Sequence, residues 1–142
     1  MSDGDLPAPA PAVNPETKPF WEATTEDQLL IQECGSCSMV YYYPRARCPN
    51  CFADTTAWIE ASGRGHIYSY SITYGGVGGE YAEATPYVLA YVELEEGPRM
   101  LTNIVGLDED EFELLEIGQP VKLTFTETDH ESGYKLPRFI PE

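Results

Sequence analysis

From residue 63 onward, apolar and polar positions alternate with a period of two over short runs, the signature of half-buried strands. GHIYSYSITY sets Ile67, Ser69, Ser71 and Thr73 against Tyr68, Tyr70, Ile72 and Tyr74. YVLAYVEL and RMLTNIVG follow as a second and third strand joined by the tight turn EEGP, and QPVKLTFTETD and YKLPRFIPE supply a fourth and fifth. Between the third and fourth, DEDEFELLEIG breaks the alternation. Asp108 is placed to cap, acidic residues fill the first turn, and Phe112 and Leu115 share one face, which predicts a short helix. Three strands, a helix and two strands is the order of a five-stranded OB-fold barrel, assigned to residues 54–142.

Upstream the pattern is different. Residues 1–15 alternate Pro and Ala around acidic positions, cannot bury a core, and read as a disordered tail. KPFWEAT predicts a helix within 16–26, opened by Pro19 and anchored by Phe20 and Trp21. QLLIQECGSC reads as a strand running into a cysteine knuckle and MVYYYPRARCPNC as a strand returning into a second, while TTAWIEASGRG reads as a connector ending in two glycines. The fold class is therefore mainly β, with a short N-terminal helix and a metal ribbon over 27–53 preceding the barrel.

All four cysteines lie between residues 34 and 51, as two Cys-x-x-Cys pairs ten residues apart. Each such turn directs two sulfurs at one ion, and two turns complete a tetrahedral set of soft ligands suited to Zn2+. The spacing favours zinc over a redox dithiol or disulfides. A thioredoxin-type motif needs one pair at a helix start, and reducing compartments keep thiols free. Four thiolates leave no open coordination position, so the metal is structural.

Charge narrows the partners. Twenty-four acidic against eight basic residues give a net charge of -16, which repels phosphate backbones and anionic membranes. Neither an apolar signal segment nor a long apolar span is visible, and the chain reads as soluble and cytoplasmic. A nucleic-acid-binding OB module, the rival from another class, calls for a basic groove that this balance opposes.

The succession FWEA, LLIQECGSC, YPRARCPNC, AWIEASGRGHIYSYSITY, PYVLAYVELEEGPRMLTNIVG, IGQPVKLTF and LPRFIP resembles the DUF35 family over about residues 19–141. The resemblance implies a rubredoxin-like zinc ribbon joined to an OB-fold, with zinc on Cys34, Cys37, Cys48 and Cys51. It also implies a role beside a thiolase-like catalytic subunit acting on acyl-CoA: an acetoacetyl-CoA thiolase complex, a steroid side-chain aldolase, or the thiolase that splits benzoylsuccinyl-CoA into benzoyl-CoA and succinyl-CoA in anaerobic toluene degradation. Of these, benzoylsuccinyl-CoA cleavage is the reaction favoured. Ser38 and Phe52 stand where the family usually has glycine after each knuckle.

Beyond the cysteines, no nucleophile stands beside a base, and no phosphate loop occurs, so no catalytic residue is assigned. His66 and His130 read as structural or solvated, and the carboxylates of 108–116 as a solvated helix face. Arg45, Arg47 and Arg64 are a local basic exception. They suit either CoA phosphates, an acidic partner patch, or ion pairs with neighbours such as Glu33 and Glu60. The tyrosines of YYY with Tyr68, Tyr70 and Tyr74 suggest an exposed aromatic face, half of it packing the barrel. The loop 75–86, GGVGGEYAEATP, exceeds what a turn needs. It reads either as a surface insertion or as a segment whose Tyr81 orders against the partner or its acyl-CoA.

Overall fold

The computed structural model describes residues 6–142; the part of the expected tail at 1–5 lies outside them. One helix, α1 (Lys18–Thr24), precedes eight strands: β1 (Leu30–Cys34), β2 (Val40–Tyr41), β3 (Thr56–Glu60), β4 (Arg64–Thr73), β5 (Tyr87–Leu94), β6 (Arg99–Ile104), β7 (Pro120–Glu127) and β8 (Lys135–Pro141). The first three form a sheet of order β2-β1-β3, and the other five close a barrel of order β4-β5-β6-β8-β7.

The barrel follows the period-two pattern. Along β5, Val88, Ala90, Val92 and Leu94 point inward and are buried, and Ile67, Met100, Val121 and Phe139 meet them there. Closure needs two special contacts. β4 pairs with β7 through Arg64–His66 opposite Lys122–Pro120, and β6 meets β8 in parallel at Ile104 and Phe139. At the closure, Gly65 has no room for a side chain, because a Cβ there would lie 2.5 Å from the Glu93 carbonyl oxygen. A register shift between Ile67 and Ser69 makes Tyr68 the bulged residue and bends β4 around the barrel.

Two expectations change. TTAWIEASGRG is no connector at its start: Thr56–Glu60 pairs antiparallel with all of β1, so the ribbon sheet has three strands. The two glycines that suggested a loop belong instead to the barrel entry, Gly63 at φ 84° and Gly65 at the close approach. The expected disorder also fails at residue 6. Leu6 is buried with Ala84 and Val105, the buried Arg138 donates to the carbonyls of Leu6 and Pro7, and the Tyr81 hydroxyl donates to that of Pro7 at 3.2 Å. Proline-rich chain has free carbonyls even where it lacks N–H groups, and a buried guanidinium needs acceptors.

α1 joins the two modules. Phe20 packs edge-on against Trp21 at 4.9 Å and against Tyr42 of the ribbon at 5.9 Å, while the Lys135 amide of β8 donates to Thr24 Oγ1 at 3.0 Å. The acidic segment before β7 is a 3-10 turn, Glu109–Leu114, with the capping box of Asp108 and Glu111 and with Phe112 buried.

Candidate metal centre and its surroundings

The two knuckles are near copies of each other. Cys34 N–H donates to the Met39 carbonyl at 2.9 Å and Ser38 N–H to the Cys34 carbonyl at 3.0 Å; in the second, Cys48 N–H donates to the Ala53 carbonyl at 2.9 Å and Phe52 N–H to the Cys48 carbonyl at 2.9 Å. Each turn closes on a left-handed residue, Ser38 at φ 67° and Phe52 at φ 64°, the positions where glycine is easiest. The ligand geometry survives without glycine, at the cost of backbone strain.

The four sulfurs lie within 4.8 Å of one another, with Cys34 to Cys51 and Cys37 to Cys48 both at 3.6 Å. A tetrahedral zinc with bonds of about 2.3 Å sets its sulfurs about 3.8 Å apart, so the tetrad fits that ion, and the separation is far beyond a disulfide bond of about 2.05 Å. The surrounding amides point the same way: Ser36 N–H and Asn50 N–H each reach a sulfur at 3.4 Å, on Cys34 and Cys48.

These donors tune the thiols. The amides of Cys37 and Ser36 bring Cys34 down to about 6, and the Asn50 side chain lowers Cys37. At Cys51 the Ala53 amide pulls downward, but desolvation and the neighbouring sulfurs outweigh it and leave the thiol at about 11. Four sulfurs this close cannot all ionise unless a cation sits among them, which is the chemistry of a structural zinc site. Cys34, Cys37, Cys48 and Cys51 would hold that ion.

The other candidate residues do not converge. Arg45 has its backbone clamped by Gln32, whose Oε1 accepts from Arg45 N–H at 2.8 Å, and its exposed side chain borders a cleft with Tyr43, Pro98 and Arg99. Arg47 donates to the Phe52 carbonyl at 3.1 Å, closing the second knuckle. Arg64 pairs with Glu142 and borders a different cleft, with His66 and Glu93. Tyr81 sits in a 3-10 turn, Gly79–Glu83, half-buried against Tyr87 and the Leu6 strap.

His66 lies 3.2 Å from Glu93, and His130 accepts from Ser132 N–H at 3.1 Å while stacking on Tyr134. Among the tyrosines, Tyr43, Tyr68 and Tyr74 are exposed, Tyr41 is buried, and Tyr70 donates to the Leu115 carbonyl at 2.7 Å. Sequence reasoning missed Leu89, Tyr91 and Leu101, which point outward from β5 and β6 yet are apolar. The signal was present in YVLAYVEL, whose two faces are both hydrophobic.

Comparison with known proteins gives this geometry a family. The model of the "ChsH2, rubredoxin-like zinc ribbon domain" matches residues 21–57 and that of the "ChsH2, C-terminal OB-fold domain" matches 58–126. A "DUF35 domain-containing scaffold protein" of Methanothermobacter thermautotrophicus is 36% identical over 104 residues, covering 72% of this chain and 75% of that protein. The chain belongs to the DUF35 family.

A "probable enoyl-CoA hydratase alpha subunit" of Thermomonospora curvata is 38% identical over 133 residues, 94% of this DUF35 chain, which spans 40% of that protein's length. Among solved structures, a chain of the "Ltp2-ChsH2(DUF35) aldolase" superposes with a TM-score of 0.76 at 36% identity, covering 93% of this chain and 98% of that one. The "Benzoylsuccinyl-CoA thiolase subunit BbsA" of Geobacter metallireducens is 33% identical over 73 residues, 51% of this chain and 47% of that subunit. The described residues contain no helix long and apolar enough to cross a membrane.

Proposed function

We propose that this DUF35 chain is the non-catalytic, zinc-stabilised accessory subunit of a thiolase- or aldolase-type complex that makes or breaks a carbon–carbon bond in an acyl-CoA. The observation that carries the reading is the nearly end-to-end match to a chain of the aldolase structure. The chemistry of the chain is consistent with it. A zinc with four thiolates has no position for substrate or water, and no described nucleophile stands with a base in a cavity. The partner supplies the catalytic groups. The zinc-held ribbon and the barrel supply a shaped surface beside them.

Direct contact with CoA would fall first to Arg45, whose side chain is exposed at a tyrosine-lined cleft, whereas Arg47, Arg64 and Tyr81 already hold neighbours. Benzoylsuccinyl-CoA cleavage has the narrower support, a match over half of the chain. Single-stranded nucleic acid suits the barrel but meets a net charge of -16.

The test is reconstitution. A thiolase-type catalytic subunit is co-expressed with this chain. Thiolytic cleavage of branched 3-oxoacyl-CoA substrates, benzoylsuccinyl-CoA among them, is followed with a thiol reagent as the consumption of added free CoA, and retro-aldol cleavage of 3-hydroxyacyl-CoA substrates by chromatography of the shortened acyl-CoA. Turnover requires both chains. Turnover by this chain alone, or a catalytic subunit equally active without it, rejects the accessory role.

A further inference from the structure

We infer that the outer face of β4, β5 and β6, rather than the zinc knuckles, is the surface on which the catalytic partner docks. The inference rests on the accessory role proposed above and assigns it to a place.

In an antiparallel barrel the outward positions of a strand face water and are usually polar. Here they are not. The register sets Ser69, Tyr91 and Leu101 side by side across the three strands, with Leu89 in the next row opposite Ser71. Tyr91 is 47% exposed, Leu101 50% and Leu89 36%, and the bulge turns Tyr68 outward at 45%. The serines leave a hollow of about 170 Å3 between the larger side chains, of a size for one inserted apolar side chain. Neither folding nor solubility accounts for four adjacent exposed apolar residues on one sheet.

Electrostatics selects the occupant. Glu93 is the one carboxylate on the outward positions of β5, and it is held by Arg99 at 3.1 Å and by His66 at 3.2 Å. Arg99 lies over the Tyr68 ring, 3.7 Å from its centre, and also borders the cleft with Tyr43 and Arg45 at the ribbon. In a chain of net charge -16, this band is neutral to positive. The face is the one OB-folds use for extended ligands, but the surrounding acidity opposes a polyphosphate, and a second copy would bring -16 against -16. The surface that fits is a folded protein with an apolar centre and carboxylates at its rim, opposite Arg99 and Arg45. Aromatic and arginine side chains framing a dry centre are the usual anchors of such contacts.

The test uses the zinc-loaded full chain and the catalytic subunit that supports turnover with it. Leu101→Glu should weaken the complex by about a hundredfold and Tyr91→Ala by about tenfold, measured by biolayer interferometry. Zinc content and thermal midpoint should match the wild type, since both side chains point outward. Glu127→Ala on β7 is the control and should bind normally. Variants that bind as the wild type overturn the assignment while leaving the accessory role intact. A wild-type chain that sediments as a dimer, with Leu101→Glu a monomer, makes the face a self-interface and overturns it too. So does binding of labelled oligo-dT at physiological salt that Tyr91→Ala removes. A wild-type chain that fails to bind the subunit at all rejects the accessory role itself.

Discussion

The ribbon and the barrel are two answers to the problem of holding a small β-structure together. The barrel relies on area: residues such as Ile67, Val92 and Phe139 are fully buried along strands whose alternation does the sorting. The knuckles have almost none, with Tyr41 and Ala53 packed around Cys34 and Cys48. Their shape is set by four sulfurs and the amides aimed at them. Area is divisible, and a barrel can lose part of it and persist. A tetrahedral ligand set is not divisible, so damage to one sulfur should be felt by the whole ribbon.

The sharpest way to break this contrast is Cys48→Ser. Structural zinc sites are worth on the order of 10 kcal/mol or more, so bound zinc should fall from about one per chain to near zero. Ribbon amides should lose hydrogen-exchange protection while β4–β8 amides keep theirs. Loss of protection in both modules at once would show that they are one cooperative unit. Next in size is Phe139→Ala, which removes a fully buried ring where β6 meets β8. A loss of about 3–5 kcal/mol is expected by urea titration, with zinc still bound.

A third test concerns the seam. Burial, with a smaller contribution from Tyr43, pushes the Tyr42 phenol up to about 12. An unfolded tyrosine ionises near 10, so the fold prefers the neutral ring. Its stabilisation is fully present below pH 10 and is lost as pH rises through 12. The total is at most on the order of 3 kcal/mol. Urea midpoints should fall between pH 9.5 and 11.5 in the wild type and much less in Tyr42→Phe; equal falls would assign the alkaline loss elsewhere. The smallest expected effect is a gain. Ser38→Gly relieves a left-handed residue at φ 67°, and zinc affinity in a chelator competition should tighten by an amount near 1 kcal/mol, about fivefold. Unchanged affinity would mean that the knuckle carries no strain.

The two regions also differed in how much their sequence disclosed. The convergence of the four cysteines was readable from spacing, because ligand chemistry needs only residue types at fixed intervals, and the barrel strands from alternation. β3 was hidden because its pairing partner, β1, lies over twenty residues away and Gly63 and Gly65 looked like loop punctuation. Their real roles, a positive φ and a close backbone approach to Glu93, are set in three dimensions. The docking of Leu6 was hidden for a similar reason: its partners, Val105 and Arg138, share no local pattern with it. The doubly apolar β5 was visible, but a buried strand and a strand with one face left for a partner read alike until the barrel is closed.

The seven-residue helix α1 is far too short to persist by itself, since isolated helices under about 12–15 residues are marginal in water. Its existence is conditional on ribbon and barrel both being in place, with Phe20 gripping Tyr42 on one side and Thr24 receiving Lys135 on the other. Trp21 is buried in that wedge, and the only other tryptophan, Trp58, lies on β3. The chain thus carries an intrinsic fluorophore at its joint. In Trp58→Phe, the emission wavelength of Trp21 should shift to the red when the two modules part, giving an optical gauge of their separation without any added label.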